Sequence, residues 1–252
     1  MDMIDLQDNN IVYVTRDIER ASGISFDTKG YYSISNNTSA SKNYADHESV
    51  LLIKEDQKLD TRELLQHPET IAFLNNLENP NIIVFKNTKK IERICAEHGW
   101  ELLNPSAELA NSQFNISHTV SGTLLIENKE QLENIQTAFP KRPVRITEYI
   151  DAPSYTINVV IGAETSIIPG NISYQITGLK PFTDQQFATI GNDWKAGAEL
   201  EVPLKHKVDE IVQELGHKMH NSGWKGLFGV DFIISKTDVY LLEVNARQPA
   251  ST

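Results

Sequence analysis

Residues 229–247 read Gly229-Val230-Asp231-Phe232-Ile233-Ile234, then Ser235-Lys236-Thr237-Asp238, then Val239-Tyr240-Leu241-Leu242-Glu243-Val244-Asn245-Ala246-Arg247. Two apolar segments of strand length flank a short polar turn, which predicts an antiparallel hairpin. The first segment carries Asp231, and the second carries Glu243 and Asn245, where buried strands are normally apolar. These oxygen-bearing side chains make the hairpin a candidate site.

The spacing of the three side chains predicts that they converge. Side chains two apart on a strand share a face, so Glu243 and Asn245 project together. Asp231 joins them if it lies across from Glu243, which requires a turn of odd length, about three or five residues. Such a cluster repels itself unless a hard cation occupies it, and Mg²⁺ prefers one or two carboxylates together with phosphate oxygens.

Arg247 lies one further step along the same face and offers a positive fork suited to phosphate or carboxylate. An alternative interpretation is that all these residues are solvated on the wet face of an edge hairpin. Apolar neighbours on both strands indicate burial on both faces, where unpaired carboxylates are costly. We therefore favour a metal site over a solvated face.

The hairpin and the residues before it resemble a known family. Gly223-Trp224-Lys225-Gly226-Leu227-Phe228-Gly229-Val230-Asp231-Phe232, followed by Leu242-Glu243-Val244-Asn245-Ala246-Arg247, is similar to the metal-binding core of the ATP-grasp superfamily, in its biotin carboxylase-like and carbamoyl-phosphate-synthase-like members. The resemblance implies Mg²⁺ or Mn²⁺ ligands at Asp231, Glu243 and Asn245. It also implies that Arg247 is catalytic and faces the transferred phosphoryl group or the acyl phosphate.

Composition limits the classes of function. The chain is 40% hydrophobic and 23% charged, as in soluble globular proteins. Its net charge of −11 and the absence of a dense Lys/Arg stripe disfavour nucleic acid as a partner. No apolar run is long enough for a membrane span, and Met1 to Asn10 is acidic, so we expect a cytoplasmic protein without a membrane partner. The single cysteine, Cys95, excludes an intrachain disulfide, and its helical spacing from Ile91 and Ile94 predicts a buried structural thiol.

The first hundred residues alternate between strand and helix patterns. Strands are predicted at Ile11 to Thr15, Tyr31 to Ser35, Val50 to Ile53 and Asn81 to Phe85, with a helix from Thr88 to His98 that ends at Gly99. This alternation predicts a small layer of parallel strands covered by helices. It resembles the domain that precedes the ATP-grasp core.

The pattern changes after Pro105, where a helix through Ser112 is expected. Short strands are predicted at Gln113 to His118, Thr123 to Ile126, Pro143 to Ile150 and Tyr155 to Ile161. Between them, Asn128 and Gln131 predict a capped helix that buries Leu132, Ile135 and Phe139. A last long helix is predicted from Lys205 to Asn221, with Val208, Ile211, Val212, Leu215 and Met219 along one stripe.

The predicted fold class is α/β (α+β) with an ATP-grasp-like arrangement. It comprises an amino-terminal α/β domain at 1–104, a shortened small lid subdomain at 105–160, and a carboxyl-terminal subdomain at 161–252 that carries the metal site on an antiparallel sheet.

The resemblance also implies where ATP binds. The polar loop Ser117, His118, Ser121, Gly122 and Thr123 matches the family's phosphate loop, although Val120 stands where a further glycine is expected. Glu148, Tyr149 and Ile150 match the linker that holds adenine through backbone groups. Gln113 occupies the position of a phosphate-binding lysine, so Lys180 and Lys195 are candidate replacements for that charge.

The leading hypothesis is an ATP- and Mg²⁺-dependent ligase that activates a small carboxylate as an acyl phosphate for transfer to an amine or other nucleophile. A second hypothesis is a nucleotide-binding pseudoenzyme or module without competent catalysis, motivated by the missing lysines. A third is a fragment that is completed by a partner chain or by a longer natural form. The acyl substrate, the nucleophile and the existence of a homo-oligomer are left open by the sequence.

Overall fold

The computed structural model of the chain describes Leu6 and residues 8–110, 124–141, 146–162 and 165–249. Within these residues, the strands form two sheets of five strands, one from the amino-terminal part and one from the carboxyl-terminal part. Helices accompany both sheets, which confirms the mixed α/β class predicted from the sequence.

The first sheet is parallel. Its strands are β1 (Ile11–Val14), β2 (Tyr31–Asn36), β3 (Val50–Ile53), β4 (Asn81–Val84) and β5 (Glu101–Leu102). Their order in the sheet is β3-β2-β1-β4-β5, with parallel pairing throughout. The first four strands lie where the sequence predicted them, because each is a short, apolar, β-branched run bounded by turn residues.

Helices follow β3, β4 and β5, and 3₁₀ turns lie in the connections after β1 and β2. They are α1 (Thr61–Gln66), α2 (Pro68–Asn75), α3 (Lys89–His98) and α4 (Ala107–Ala110), together with short 3₁₀ turns at Ile18–Ala21 and Ser41–Tyr44. Helices α1 and α2 were not predicted from the sequence. The signal for α1 was present, since Asp60 accepts from the backbone N–H of Glu63 and the Glu63 side chain accepts from that of Asp60, which is a capping box.

Helix α3 confirms the predicted start and end. The Thr88 hydroxyl accepts from the backbone N–H of Ile91 at 3.3 Å, and Gly99 ends the helix with φ of 71°. Cys95 is buried between this helix and the first sheet, and desolvation raises the pKa of its thiol to about 11. The prediction of a buried structural thiol is therefore confirmed.

Helix α5 (Lys129–Ala138) begins as predicted, with the Asn128 side chain accepting from the backbone N–H of Gln131 at 3.0 Å. The prediction that it buries Leu132, Ile135 and Phe139 is wrong. None of its described residues is buried, and Phe139 is 50% exposed. An amphipathic pattern identified the helix correctly, but the pattern alone does not provide a surface for that face to pack on.

The strands predicted immediately on either side of α5 are not seen in the described residues. Gln113 to His118 lie outside the described residues. Residues 124–126 and 146–150, which are the described parts of two other predicted strands, form neither helix nor strand, so those strand predictions are wrong there. The predicted helix from Pro105 to Ser112 is shorter in the described part of the chain, where it spans only α4.

The second sheet is antiparallel. Its strands are β6 (Ser154–Ile161), β7 (Ile167–Thr177), β8 (Thr189–Asp193), β9 (Gly226–Ile234) and β10 (Val239–Asn245), in the order β10-β9-β6-β7-β8. Helices α6 (Trp194–Ala198) and α7 (Val202–Asn221) precede the last two strands. The sequence predicted β6, α7 and the hairpin β9-β10, but not β7, β8 or α6, whose mixed polar and aromatic residues lack a clear period.

One face of this sheet packs against α7. Val208, Val212 and Met219 are buried on the helix, and Ile211 and Leu215 are partly buried beside them, as the predicted stripe requires. Alternate residues of the strands complete this core, including Tyr155, Ile157, Val159, Phe228, Val230, Phe232 and Val244. The apolar face is thereby fixed against α7, and the polar side chains of the same strands project from the other face.

The structure places β6 in the same sheet as β9 and β10, although the sequence analysis assigned that strand to the small subdomain. The division at residues 104 and 160 stays a prediction. Among the helices that the structure describes, none has the length and apolar character needed to cross a membrane.

Candidate active site

The register of β9 and β10 brings Asp231 opposite Glu243. The turn spans Ser235 to Asp238, because Ile234 pairs with Val239, so the prediction of a turn with an odd number of residues is wrong. The register instead shifts between Leu241, which pairs with Phe232, and Glu243. This bulge at Leu242 supplies the odd residue, and it turns Glu243 to the same face as Asp231.

Asn245 pairs with Gly229 and therefore shares that face with Glu243 and Asp231. Its side-chain amide donates to Oδ2 of Asp231 at 3.0 Å. The three side chains predicted to converge thus lie together on the polar face of the sheet.

The second oxygen of Asp231 is held by a residue that the sequence analysis missed. Gln175 on β7 donates to Oδ1 of Asp231 through its Nε2 at 3.3 Å, and its Oε1 accepts from the Ser154 hydroxyl at 2.6 Å. A chain of hydrogen bonds therefore runs from β6 and β7 to the aspartate and orients both carboxylate oxygens. Gln175 is separated from Asp231 by 56 positions in the sequence, and no local motif signals it.

The face that holds the aspartate is polar and largely enclosed. Thr156 and Ser173 are buried at 3% and 1% exposure, and Asn192 donates to the Ser173 hydroxyl at 3.0 Å. The apolar neighbours of the hairpin residues predicted burial on both of its faces. The face toward α7 is buried and apolar. The face that holds the aspartate is partly buried, and its hydroxyl and amide groups make it polar.

Electrostatics at the cluster reflect this enclosure. Desolvation raises the pKa of Asp231 to about 6, and the neighbouring charge of Glu243 adds to the rise. The Thr156 hydroxyl, the Asn245 amide and the charge of Arg247 oppose it. Two adjacent carboxylates in this environment favour a bound cation or an added proton.

Arg247 follows β10 and is half-buried beside the two carboxylates. Desolvation lowers its pKa, while the charges of Glu243 and Asp231 raise it. Its Nη1 donates to the backbone carbonyl of Gln248 at 3.1 Å, and its Cζ lies over the Phe85 ring at 5.5 Å from the centroid. The guanidinium therefore lies between the carboxylate cluster of the second sheet and the loop that follows β4.

The cluster can hold a hard divalent cation. Asp231 and Glu243 supply carboxylate oxygens, and Oδ1 of Asn245 is buried with no hydrogen-bond partner among the described residues. A buried carbonyl oxygen of this kind is costly unless it is coordinated or hydrogen-bonded. The described residues contain no group of three or more His, Cys, Asp or Glu side chains suited to a metal, so two carboxylates and one amide form the donor set.

Gly229 makes room for this arrangement, and replacing it tests the packing. A Cβ at position 229 would lie 2.4 Å from Cγ of Pro249 and 3.6 Å from Cβ of Asn245. We expect Gly229→Ala to lower the free energy of unfolding by about 1–3 kcal/mol, because Pro249 must shift. Urea denaturation measures this change.

The matched control is Gly191→Ala, also in a strand of the second sheet, where a Cβ would meet only the Cδ1 atom of Ile176 at 3.9 Å. This control should not lower stability and should raise it by up to about 1 kcal/mol, because its added methyl makes an ordinary contact and removes the entropic cost of glycine in a strand. Equal effects of both alanines would contradict the close packing at Gly229.

The predicted ATP-binding residues are less well defined. Gln113, Ser117, His118, Ser121, Gly122 and Thr123 lie outside the described residues. Glu148, Tyr149 and Ile150 lie in the irregular segment before β6, with Tyr149 half exposed and packed edge-on against Phe187. The carbonyl of Ile150 accepts from the backbone N–H of Ala152 at 3.0 Å. Their role in binding adenine stays a prediction.

The two candidate replacement lysines are both exposed. Lys180 lies 4.0 Å from Asp184 in a surface pair, and Lys195 lies on α6. Neither lysine has a described contact with the Asp231 cluster, so their role as phosphate ligands also stays a prediction.

Comparison with known proteins identifies the family. A family model described as the ATP-grasp domain matches residues 118–251, just over half of the chain. This chain belongs to the ATP-grasp family. The match includes Asp231, Glu243 and Asn245 of the cluster and the Arg247 guanidinium beside it, in agreement with the resemblance drawn from residues 223–247.

A curated relative is similar to this ATP-grasp chain in sequence, and two solved structures are similar to it in fold. It is 30% identical over 128 residues to a D-alanine–D-alanine ligase from Fusobacterium nucleatum, a match that covers 50% of the chain and 41% of that protein. Its fold is similar to a biotin carboxylase from Campylobacter jejuni solved as a beta-gamma-ATP complex, with a TM-score of 0.62 and 16% identity, covering 95% of the chain and 65% of that structure.

The fold is also similar to an N5-carboxyaminoimidazole synthetase from Staphylococcus aureus complexed with ADP, with a TM-score of 0.59 and 12% identity. That likeness covers 100% of this ATP-grasp chain and 73% of the synthetase. At these identities the two structures establish the fold alone. The chain spans about two fifths of the curated relative and about two thirds of the biotin carboxylase.

Proposed function

We propose that this ATP-grasp chain is an ATP- and Mg²⁺-dependent ligase that activates a small carboxylate as an acyl phosphate and transfers the acyl group to an amine or other nucleophile. The observation that carries the proposal is the convergence of Asp231, Glu243, Asn245 and Arg247 on one face of the second sheet. A sheet face with two carboxylates, an orphaned amide oxygen and a guanidinium suits a magnesium nucleotide.

The proposed chemistry has two steps. A carboxylate oxygen of the substrate attacks the γ-phosphorus of ATP, and the bond to the β,γ-bridging oxygen breaks to release ADP. The nucleophile then attacks the acyl carbon, and inorganic phosphate leaves with the electrons of the C–O bond. No side-chain nucleophile is needed, because the substrate carboxylate is itself the attacking group.

The residues of the chain contribute mainly by positioning and electrostatics. Asp231, Glu243 and Asn245 would hold Mg²⁺, which when bound neutralises phosphate charge. Gln175 orients Asp231 so that its carboxylate presents a fixed direction to the site. Arg247 stabilises the negative charge that develops on the transferred phosphoryl group and on the acyl phosphate.

The test is a turnover assay with a chemical trap. The chain is incubated with ATP, Mg²⁺ and a panel of carboxylic acids, with hydroxylamine as the nucleophile, and both phosphate release and hydroxamate formation are measured. We expect both products to depend on the acid and on Mg²⁺, and EDTA to abolish them. Calorimetric binding of Mg-ATP without acid-dependent phosphate release would contradict the ligase and favour a nucleotide-binding pseudoenzyme.

A further inference from the structure

A cavity of about 320 Å³ is lined by the first sheet with its loops and by the segments that flank the hairpin. Arg20 and Phe85 line it from the first sheet, and Trp224, Lys225 and Arg247 line it from the segments that flank the hairpin. Arg247 therefore belongs to both the cavity and the proposed active site. A molecule in the cavity would lie beside Arg247, the residue that the cavity shares with the proposed active site.

The topology of the first sheet explains why a crevice forms there. In the order β3-β2-β1-β4-β5, the chain leaves β1 toward β2 on one side and leaves β4 toward β5 on the other. The connections that follow β1 and β4 therefore diverge, and ligands bind at such switch points in open parallel sheets. Arg20 lies on the 3₁₀ turn after β1, and Phe85 directly follows β4.

The charge of the lining points to an anion. Its described residues include the cations Arg20, Lys225 and Arg247 and no Asp or Glu. The Cζ atoms of Arg20 and Arg247 lie over the same Phe85 ring, 3.8 Å and 5.5 Å from its centroid. The Nε atom of Arg20 lies 4.0 Å from Oδ2 of Asp17, but its Nη1 is buried with no hydrogen-bond partner among the described residues. Two guanidinium groups at one ring, one with an unused buried donor, suit a carboxylate placed between them.

The rest of the lining defines the body of the ligand. Ile11, Ile24, Ile83, Leu103 and Leu227 make the described walls mainly apolar. The lining also holds neutral polar residues, and two of its polar groups, the indole N–H of Trp224 and Oδ1 of Asn87, are buried without a hydrogen-bond partner in the described part of the chain. These can satisfy a hydroxyl or amide, but the described lining offers an ammonium group no carboxylate to pair with.

We propose that this cavity is the acyl-substrate site and that it selects an apolar carboxylic acid, with or without a neutral hydroxyl or amide group, over the corresponding α-amino acid. Arg20 is the specificity-determining residue that the first sheet contributes, and it binds the substrate carboxylate together with Arg247. This inference rests on the proposed ligase function, because only that function makes the bound acid a substrate that is converted to an acyl phosphate. The binding preference itself follows from the cavity alone.

Direct binding tests the preference with matched pairs of probes. The pairs are 4-methylpentanoate with leucine and 3-phenylpropanoate with phenylalanine, whose members differ only in the α-ammonium group. Saturation-transfer NMR on the nucleotide-free chain is expected to show binding of each acid in the millimolar range or tighter, and at least about tenfold weaker binding of the amino acid. Failure of both acids to bind, or equal binding within each pair, would overturn the inference.

Substitution of Arg20 tests its role. Arg20→Gln should weaken binding of the acids about 30-fold, because a charge-assisted hydrogen bond is lost, and Arg20→Lys should retain part of the affinity. The control is Arg93→Gln, whose side chain is 71% exposed on α3 and pairs with Glu97. Cooperative unfolding of each variant, followed by circular dichroism, shows that the fold is retained. Unchanged binding in Arg20→Gln would overturn the assignment.

The turnover assay separates this inference from the proposed function. Arg20-dependent binding of the acids without phosphate release would leave the cavity assignment intact and contradict the ligase. Acid-dependent turnover with an unchanged KM for the acid in Arg20→Gln would leave the ligase intact and overturn the cavity assignment.

Discussion

Glu243→Ala is expected to lower Mg²⁺-dependent ATP turnover by about a thousandfold, which corresponds to about 4 kcal/mol of transition-state stabilisation. Glu243 lies opposite Asp231 and supplies one of two carboxylates to the proposed metal site. Its removal leaves one carboxylate and one amide oxygen to hold the cation. The measurement is phosphate release at saturating ATP over a range of Mg²⁺ concentrations.

The fold is expected to survive this change, because Glu243 is half-buried on β10, which lies at the edge of the described sheet. The matched control is Glu210→Ala on the exposed side of α7, which removes the same carboxylate far from the cluster and should leave turnover unchanged. Glu243→Gln separates charge from shape, since it keeps an oxygen in place. Turnover of Glu243→Ala at the level of the control would exclude Glu243 as a metal ligand.

Asn245→Asp is expected to lower the free energy of unfolding by about 3 kcal/mol in EDTA, a drop in Tm of about 6–12 °C. The Asn245 amide donates to Oδ2 of Asp231 at 3.0 Å, and asparagine is buried at 6% exposure. An aspartate there replaces this donor with a third carboxylate next to Asp231 and Glu243. Like charges in an enclosed site are then uncompensated, which is among the most destabilising changes to a buried group.

Added Mg²⁺ should raise the Tm of Asn245→Asp by more than that of the unmodified chain, because the cation compensates the extra carboxylate. Thermal unfolding in EDTA and in Mg²⁺ measures both shifts. The matched control is Asn192→Asp on the same face of the sheet, where the Ser173 hydroxyl that now accepts from Asn192 can donate to the new carboxylate. If Mg²⁺ raised the Tm of all three proteins equally, position 245 would lie outside the metal site.

Local patterns were sufficient for much of the fold. Short β-branched runs located β1, β2, β3 and β4, and the capping signals at Thr88 and Gly99 gave both ends of α3. These patterns work because backbone preference and periodicity act within a few residues. The same reasoning failed for the buried face of α5 and for the predicted strands at 124–126 and 146–150, where the outcome depends on what lies against the segment.

The candidate site likewise has features that the sequence predicted and features that it did not. Asp231, Glu243, Asn245 and Arg247 lie within 17 positions of one another, so the alternation of two adjoining strands was enough to predict their shared face. The sequence did not predict how Glu243 comes to lie opposite Asp231. A β-bulge at Leu242 produces this pairing, and not a turn of odd length. A bulge and an odd turn shift the register by the same single residue, and the hydrophobic pattern does not distinguish them.

The sequence by itself determined the family, the hairpin and the identity of its oxygen-bearing residues, because those features arise from neighbouring positions in the chain. Only the tertiary structure brought Gln175 to the Asp231 carboxylate and placed Arg20 and Arg247 over the ring of Phe85. These contacts join residues from different strands and from both sheets. Their partners are selected by the packing of the whole fold, and no periodicity along the chain encodes such long-range proximity.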